Sequence, residues 1–139
     1  MTSQSRFEVR SIGIVESPLT DRASAPKQGD EGSPDAVLVL DPDFVDGLTG
    51  LRPGDEIIVL TWFHRARRDV LQVYPRSDPN RPLTGVFATR SPDRPNPVGL
   101  HRVTVRAVHA NRLRIGPIEA IDGTPVIDIK PARQASDDS

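Results

Sequence analysis

The chain has 139 residues, with 18 basic and 19 acidic side chains and no cysteine. That is length enough for one domain with a real core, and the absent thiols exclude a disulfide framework, a thiolate metal site and a cysteine nucleophile. A net charge of −1 excludes a surface that grips nucleic acid on every side.

In chain order, residues 1–8 read as a flexible N-terminus, 9–131 as one β domain and 132–139 as a flexible tail. Residues 1–15 hold no long apolar run, so no secretory leader is expected. The apolar runs at 36–40 and 57–63 are far too short to cross a bilayer, so a soluble, cytoplasmic protein without membrane contact is expected. Short Val- and Ile-rich runs with partial alternation predict strands at 8–15, 36–40, 56–63, 70–74, 98–108, 112–118 and 126–129. His109, Ala110 and Asn111 predict a tight hairpin between two of them. Fourteen prolines leave little room for a long helix. One short helix is predicted at 43–48, with Asp41 or Asp43 as its cap and Gly50 beyond it. The pattern is an all-β domain, mostly antiparallel, folded as a barrel or a sandwich.

The charge is unevenly spread: residues 64–114 carry eleven arginines against three aspartates, between acidic flanks. Such a stripe either draws a phosphate-bearing partner or pairs its charges locally. No phosphate loop and no dinucleotide fingerprint is present. The three histidines are too scattered for a metal triad, and no nucleophile elbow exists. Asp128 and Lys130 alternate with Ile127 and Ile129, which projects both from one strand face; no catalytic role attaches to them.

The densest segment is T-G-V-F-A-T-R-S-P-D-R-P-N-P-V-G-L, from Thr84 to Leu100. Pro92, Pro95 and Pro97 restrict themselves and the residues before them, so Arg90 and Arg94 sit on a stiffened loop. Read alone, it is either a rigid crossover or a preformed polar site. The order of its residues resembles the signature of the TsaA-like family, which includes the tRNA N6-threonylcarbamoyladenosine methyltransferases. Four other blocks are similar and in the same order: S-I-G-I-V-E-S-P from Ser11, A-P-K-Q-G from Ala25, W-F-H-R from Trp62 and D-G-T-P-V-I-D-I-K-P from Asp122.

The resemblance implies a small β-barrel, a homodimer and an S-adenosyl-L-methionine-dependent methyltransferase acting on N6 of threonylcarbamoyladenosine in tRNA. Two alternatives stand beside it: a methyltransferase with another acceptor, and a non-catalytic S-adenosyl-L-methionine-binding module. It places Pro26, Lys27, Gln28, His64, Arg65, Arg90, Leu100, Ala120, Ile121, Asp122 and Gly123 around the cofactor. Lys27 stands where many members have arginine and so lacks the bidentate fork. Gly99, without a Cβ, is read as allowing close backbone approach. Arg67 and Arg68 match no cofactor position and are read as substrate-attracting charge. Methyl transfer from a sulfonium is an in-line displacement that needs positioning more than a protein nucleophile, and the sequence names no catalytic side chain.

Overall fold

The computed structural model describes residues 4–20 and 32–132. Eight strands form in chain order: β1 Gly13–Glu16, β2 Ala36–Leu40, β3 Glu56–Trp62, β4 Gln72–Val73, β5 Thr84–Gly85, β6 Val98–His109, β7 Arg112–Gly116 and β8 Pro125–Pro131. Six of them close an antiparallel barrel in the order β1-β2-β7-β6-β3-β8, so the barrel expectation holds and the sandwich does not. Alternation dictates which side faces in. Ala36, Leu38 and Leu40 of β2, Ile57 and Val59 of β3, and Leu113 and Ile115 of β7 are buried, while their neighbours along each strand are more exposed. Val15, Val103, Val105 and Val126 complete the interior. β6 is long enough to serve two partners: its first half pairs with β3 and its second half with β7. The ring closes where the first strand meets the last, through Gly13↔Val126 and Ile14↔Pro125.

Several boundaries differ from the sequence expectation. The first strand begins at Gly13 rather than at residue 8, because Phe7 and Val9 find nothing to pack on and remain 86% and 61% exposed. The expected strand 70–74 shrinks to β4, which pairs with β5 in a ribbon outside the barrel. The short helix is a 3-10 helix, Pro42–Leu48, capped by Asp41, whose carboxylate accepts the Asp43 N–H at 2.9 Å. Two further 3-10 turns, Pro75–Ser77 and Val86–Ala88, lie between strands. β7 stops at Gly116, before a cis peptide to Pro117. The hairpin turn is Ala110-Asn111, with Ala110 in the left-handed region at φ 54°. Asn111 ties that turn to β2, donating from Nδ2 to the Leu40 carbonyl at 2.7 Å.

The acidic flanks and the basic middle meet on the barrel wall. Arg112 pairs with Glu16 at 2.7 Å, Arg102 with Glu56 at 3.3 Å and Arg106 with Asp35 at 3.6 Å. Much of the arginine stripe is therefore paired locally. Among the described residues, no helix is long and apolar enough to cross a membrane.

Candidate functional site

The prolines of residues 91–97 hold a loop that also bonds to itself. The Ser91 N–H donates to Thr89 Oγ1 at 3.1 Å, and the Asp93 N–H to Ser91 Oγ at 3.3 Å. Arg94 folds back, its guanidinium donating to the carbonyls of Thr89 and Val86. Arg94 is thus a brace for the loop, with both terminal nitrogens bound to loop carbonyls. Arg90 differs. Its guanidinium makes no hydrogen bond or ion pair with the described residues, and it is exposed. A cation held ready on a stiff loop is what an anionic ligand group requires.

The segment after β3 docks against this loop. The Phe63 N–H donates to the Pro97 carbonyl at 2.8 Å, and the Arg94 N–H to the Arg67 carbonyl at 3.0 Å. Asp93 accepts the Arg67 N–H at 2.9 Å. Arg68 donates from Nε to the Pro95 carbonyl at 2.7 Å and from its terminal nitrogen to Asn96 Oδ1 at 3.0 Å. The same guanidinium lies over the Trp62 ring, 5.0 Å from its centroid. Arg67 forms an exposed pair with Asp69 at 3.0 Å, which raises the Arg67 pKa and lowers that of Asp69. Arg68 keeps its full charge, since both its partners are neutral, but its fork is held to the loop, whereas Arg67 is paired with Asp69.

His64 and Arg65 are exposed, and Arg65 reaches across to donate to the Thr20 carbonyl at 3.0 Å. Thr20 follows the segment that holds the last predicted block. The Asp122 N–H donates to the Leu19 carbonyl at 2.6 Å, and Asp122 Oδ1 accepts the Ser17 N–H at 2.9 Å. Gly123 turns with φ 85° and donates to the Val15 carbonyl at 2.7 Å. A chain of hydrogen bonds therefore runs from residues 122–123 through 17–20 to Arg65, and the backbone carries it from there to the proline loop. Ala120 is fully buried and Ile121 nearly so, so their side chains belong to the barrel and only their backbone is available to a ligand. Leu100 faces outward, opposite Leu60 on β3, and is 48% exposed. Pro26, Lys27 and Gln28 lie outside the described residues.

Beneath the loop, β3 and β6 place two polar side chains inside the barrel. Thr61 Oγ1 and His101 Nε2 share a hydrogen bond at 2.8 Å, both residues being buried. The Phe63 ring meets the imidazole edge-on at 5.7 Å. Burial, helped by the nearby charge of Arg90, pushes the His101 pKa down to about 4. Gly99 fits this floor: a Cβ there would stand 2.5 Å from both Thr61 Oγ1 and Phe63 Cζ. Its missing side chain makes room for the protein's own packing, not for a ligand's approach. Sequence reasoning gave His101 no role and read Arg68 only as attracting charge, missing its tie to the loop. Alternation on β6 signalled the first, and no local signal marks the second.

The model of the tRNA-methyltransferase O N-terminal domain matches residues 14–138. The chain belongs to that family. An S-adenosyl-L-methionine-binding protein of Archaeoglobus fulgidus is 41% identical over 122 residues, 88% of this chain and 86% of the relative. A probable S-adenosyl-L-methionine-binding protein of Methanothermobacter thermautotrophicus is 43% identical over 129 residues, 93% of this chain and 92% of its own. The crystal structure of TrmO from Pseudomonas aeruginosa superposes with a TM-score of 0.76 at 32% identity, covering 97% of this chain. This chain spans only 60% of that TrmO chain. The blocks around Thr84–Leu100 and Asp122–Pro131 thus mark a family of β-barrels whose relatives carry S-adenosyl-L-methionine-binding names.

Proposed function

We propose that this domain binds S-adenosyl-L-methionine on the face carrying Arg90, His64, Arg65, Leu100 and the backbone of residues 120–123, and that it is an S-adenosyl-L-methionine-dependent methyltransferase. The observation that carries the proposal is the division of labour within the proline loop: Arg94 is spent on loop carbonyls, whereas Arg90 is held beside it without a hydrogen-bond partner among the described residues. The residues fit the group. Arg90 suits its carboxylate, exposed Leu100 suits an apolar edge, and turn amides suit a purine edge. When bound, the cofactor supplies an electrophilic methyl on a sulfonium. The chain's part is to orient that group and the acceptor and to keep the neutral His101 floor dry beneath them. Pro26, Lys27 and Gln28 belong to the same proposal through their match to the family's motif.

The acceptor we propose is N6 of threonylcarbamoyladenosine in tRNA; the description of the matching family supports tRNA as the substrate, and the choice of nucleoside follows from the motif resemblance alone. Methylation of another acceptor, or cofactor binding without transfer, are its rivals. We also propose a homodimer, since Val98 and Phe87 leave apolar surface exposed beside the site, and a cytoplasmic location, consistent with a tRNA-modifying family; size-exclusion chromatography with light scattering tests the dimer. Calorimetry tests the cofactor site. Arg90→Ala is expected to weaken S-adenosyl-L-methionine binding roughly tenfold to a hundredfold, the worth of about 1.5–3 kcal/mol for a charge-assisted hydrogen bond. Arg112→Ala, which removes the same charge from the Glu16 pair, is expected to leave binding unchanged. Equal effects overturn the assignment of Arg90. Incubation with methyl-labelled cofactor and total tRNA tests the acceptor: label in the RNA supports it, and a cofactor-binding protein that leaves tRNA unlabelled overturns it.

A further inference from the structure

Arg68 is the least expected participant in this region. It lies on no regular element, six residues past the end of β3 at Trp62, yet its guanidinium fork makes two bonds to the most proline-rich stretch of the chain, to the Pro95 carbonyl and to Asn96 Oδ1. The third face of the group is covered by Trp62. Trp62 is itself fixed, because it ends β3 and pairs with Val98. The stack therefore runs from the barrel wall through the indole and the guanidinium to the loop. The Arg67 N–H bond to the Asp93 carboxylate and the Arg94 N–H bond to the Arg67 carbonyl flank it on the same pair of segments.

We propose that Arg68 is a positioning residue, a latch that holds the loop at residues 91–97 in one orientation on the barrel and so sets where Arg90 presents its charge. The inference rests on the cofactor-site reading above. It also has content independent of it, since the latch orders the loop whether or not a ligand binds. Proline stiffens the loop internally but does not fix its angle to the barrel; the Arg68 fork does so together with the Phe63–Pro97 and Arg94–Arg67 backbone bonds and the Arg67–Asp93 contact. Lysine at this position keeps the charge and loses the planar fork and its stacking, so Arg68→Lys separates position from charge.

Three readouts are compared in the wild-type chain, Arg68→Lys, Arg68→Ala and an Arg112→Lys control: amide exchange across residues 91–97, emission of Trp62, the sole tryptophan, and calorimetric affinity for S-adenosyl-L-methionine. With the latch weakened, exchange in the loop is expected to quicken at least tenfold. Trp62 emission is expected to shift, and affinity to fall about tenfold for lysine and further for alanine, because a ligand then selects a less populated loop orientation. Thermal midpoints are expected to move only slightly, as for the control. Unchanged loop exchange and unchanged emission in Arg68→Lys overturn the latch. Quickened exchange with full affinity overturns its link to Arg90. A wild-type chain that binds no cofactor overturns the function reading instead, while the first two readouts still decide the latch.

Discussion

His101 behaves as a small apolar plug with one polar contact. It is 6% exposed, bonded to Thr61 and edge-on to Phe63, with its pKa lowered to about 4 from 6.5. A folded-state value below the unfolded one means that the unfolded chain takes up the proton first, so stability from this group is complete above about pH 6.5 and is lost as pH falls toward 4. The loss at pH 4.5 is on the order of 2–3 kcal/mol relative to pH 7.5. His101→Gln removes the titration, so urea midpoints of that variant are expected to fall less between pH 7.5 and pH 4.5 than those of the wild type. Equal falls would place the acid sensitivity in the carboxylates. At the same scale, Gly99 shows why a motif residue is not automatically a ligand residue, since its space is filled by Thr61 and Phe63.

Among the elements, the β6–β7 hairpin offers the most direct test of local backbone chemistry. Ala110 carries φ 54°, a region an L-residue with a Cβ enters at a penalty and glycine enters freely. Ala110→Gly is expected to stabilise the fold by about 0.5–1 kcal/mol, read as a raised urea midpoint with unchanged slope. That hairpin was legible in the sequence, as were the strands at 36–40 and 98–108, because Val and Ile alternation reports a half-buried sheet directly. So was the helix cap as Asp41 or Asp43, of which the structure uses Asp41. The ribbon of β4 with β5 was not, since its pairs are short and its side chains largely exposed. Nor was the role of Arg68, whose partners Pro95 and Asn96 lie 27 and 28 residues away; nothing local distinguishes a latching arginine from a solvated one. The site residues themselves were reached through motif order, and side-chain burial of Ala120 and Ile121 is a property of barrel closure that no motif carries.

At the scale of the whole molecule, charge pairing reshapes the expected encounter with RNA. Arg102, Arg106, Arg112 and Arg67 are paired with Glu56, Asp35, Glu16 and Asp69, while Arg68 and Arg94 keep their charge but are held to neutral groups of the proline loop. The observed stripe is thus weaker than eleven arginines in sequence imply. If about three arginines per chain meet phosphates, the slope of log affinity for tRNA against log salt is expected near −3, measured by filter binding across a salt series; a slope near −8 would mean that the pairs open on binding. The ring itself has a direction of failure. Its two terminal strands close it through Gly13↔Val126 and Ile14↔Pro125, whereas β3 and β6 run together from Glu56↔Thr104 to Trp62↔Val98. That clasp has fewer register pairs than any other joint of the ring, even with the Gly123–Val15 and Val15–Thr124 bonds that extend it, and is where the hoop is expected to open first. The barrel would then unroll into a curved sheet with β1 and β8 at its free margins, so amide exchange is expected to be faster in β1 than along the β3–β6 seam that carries Trp62, Gly99 and His101, and equal protection would place the opening elsewhere.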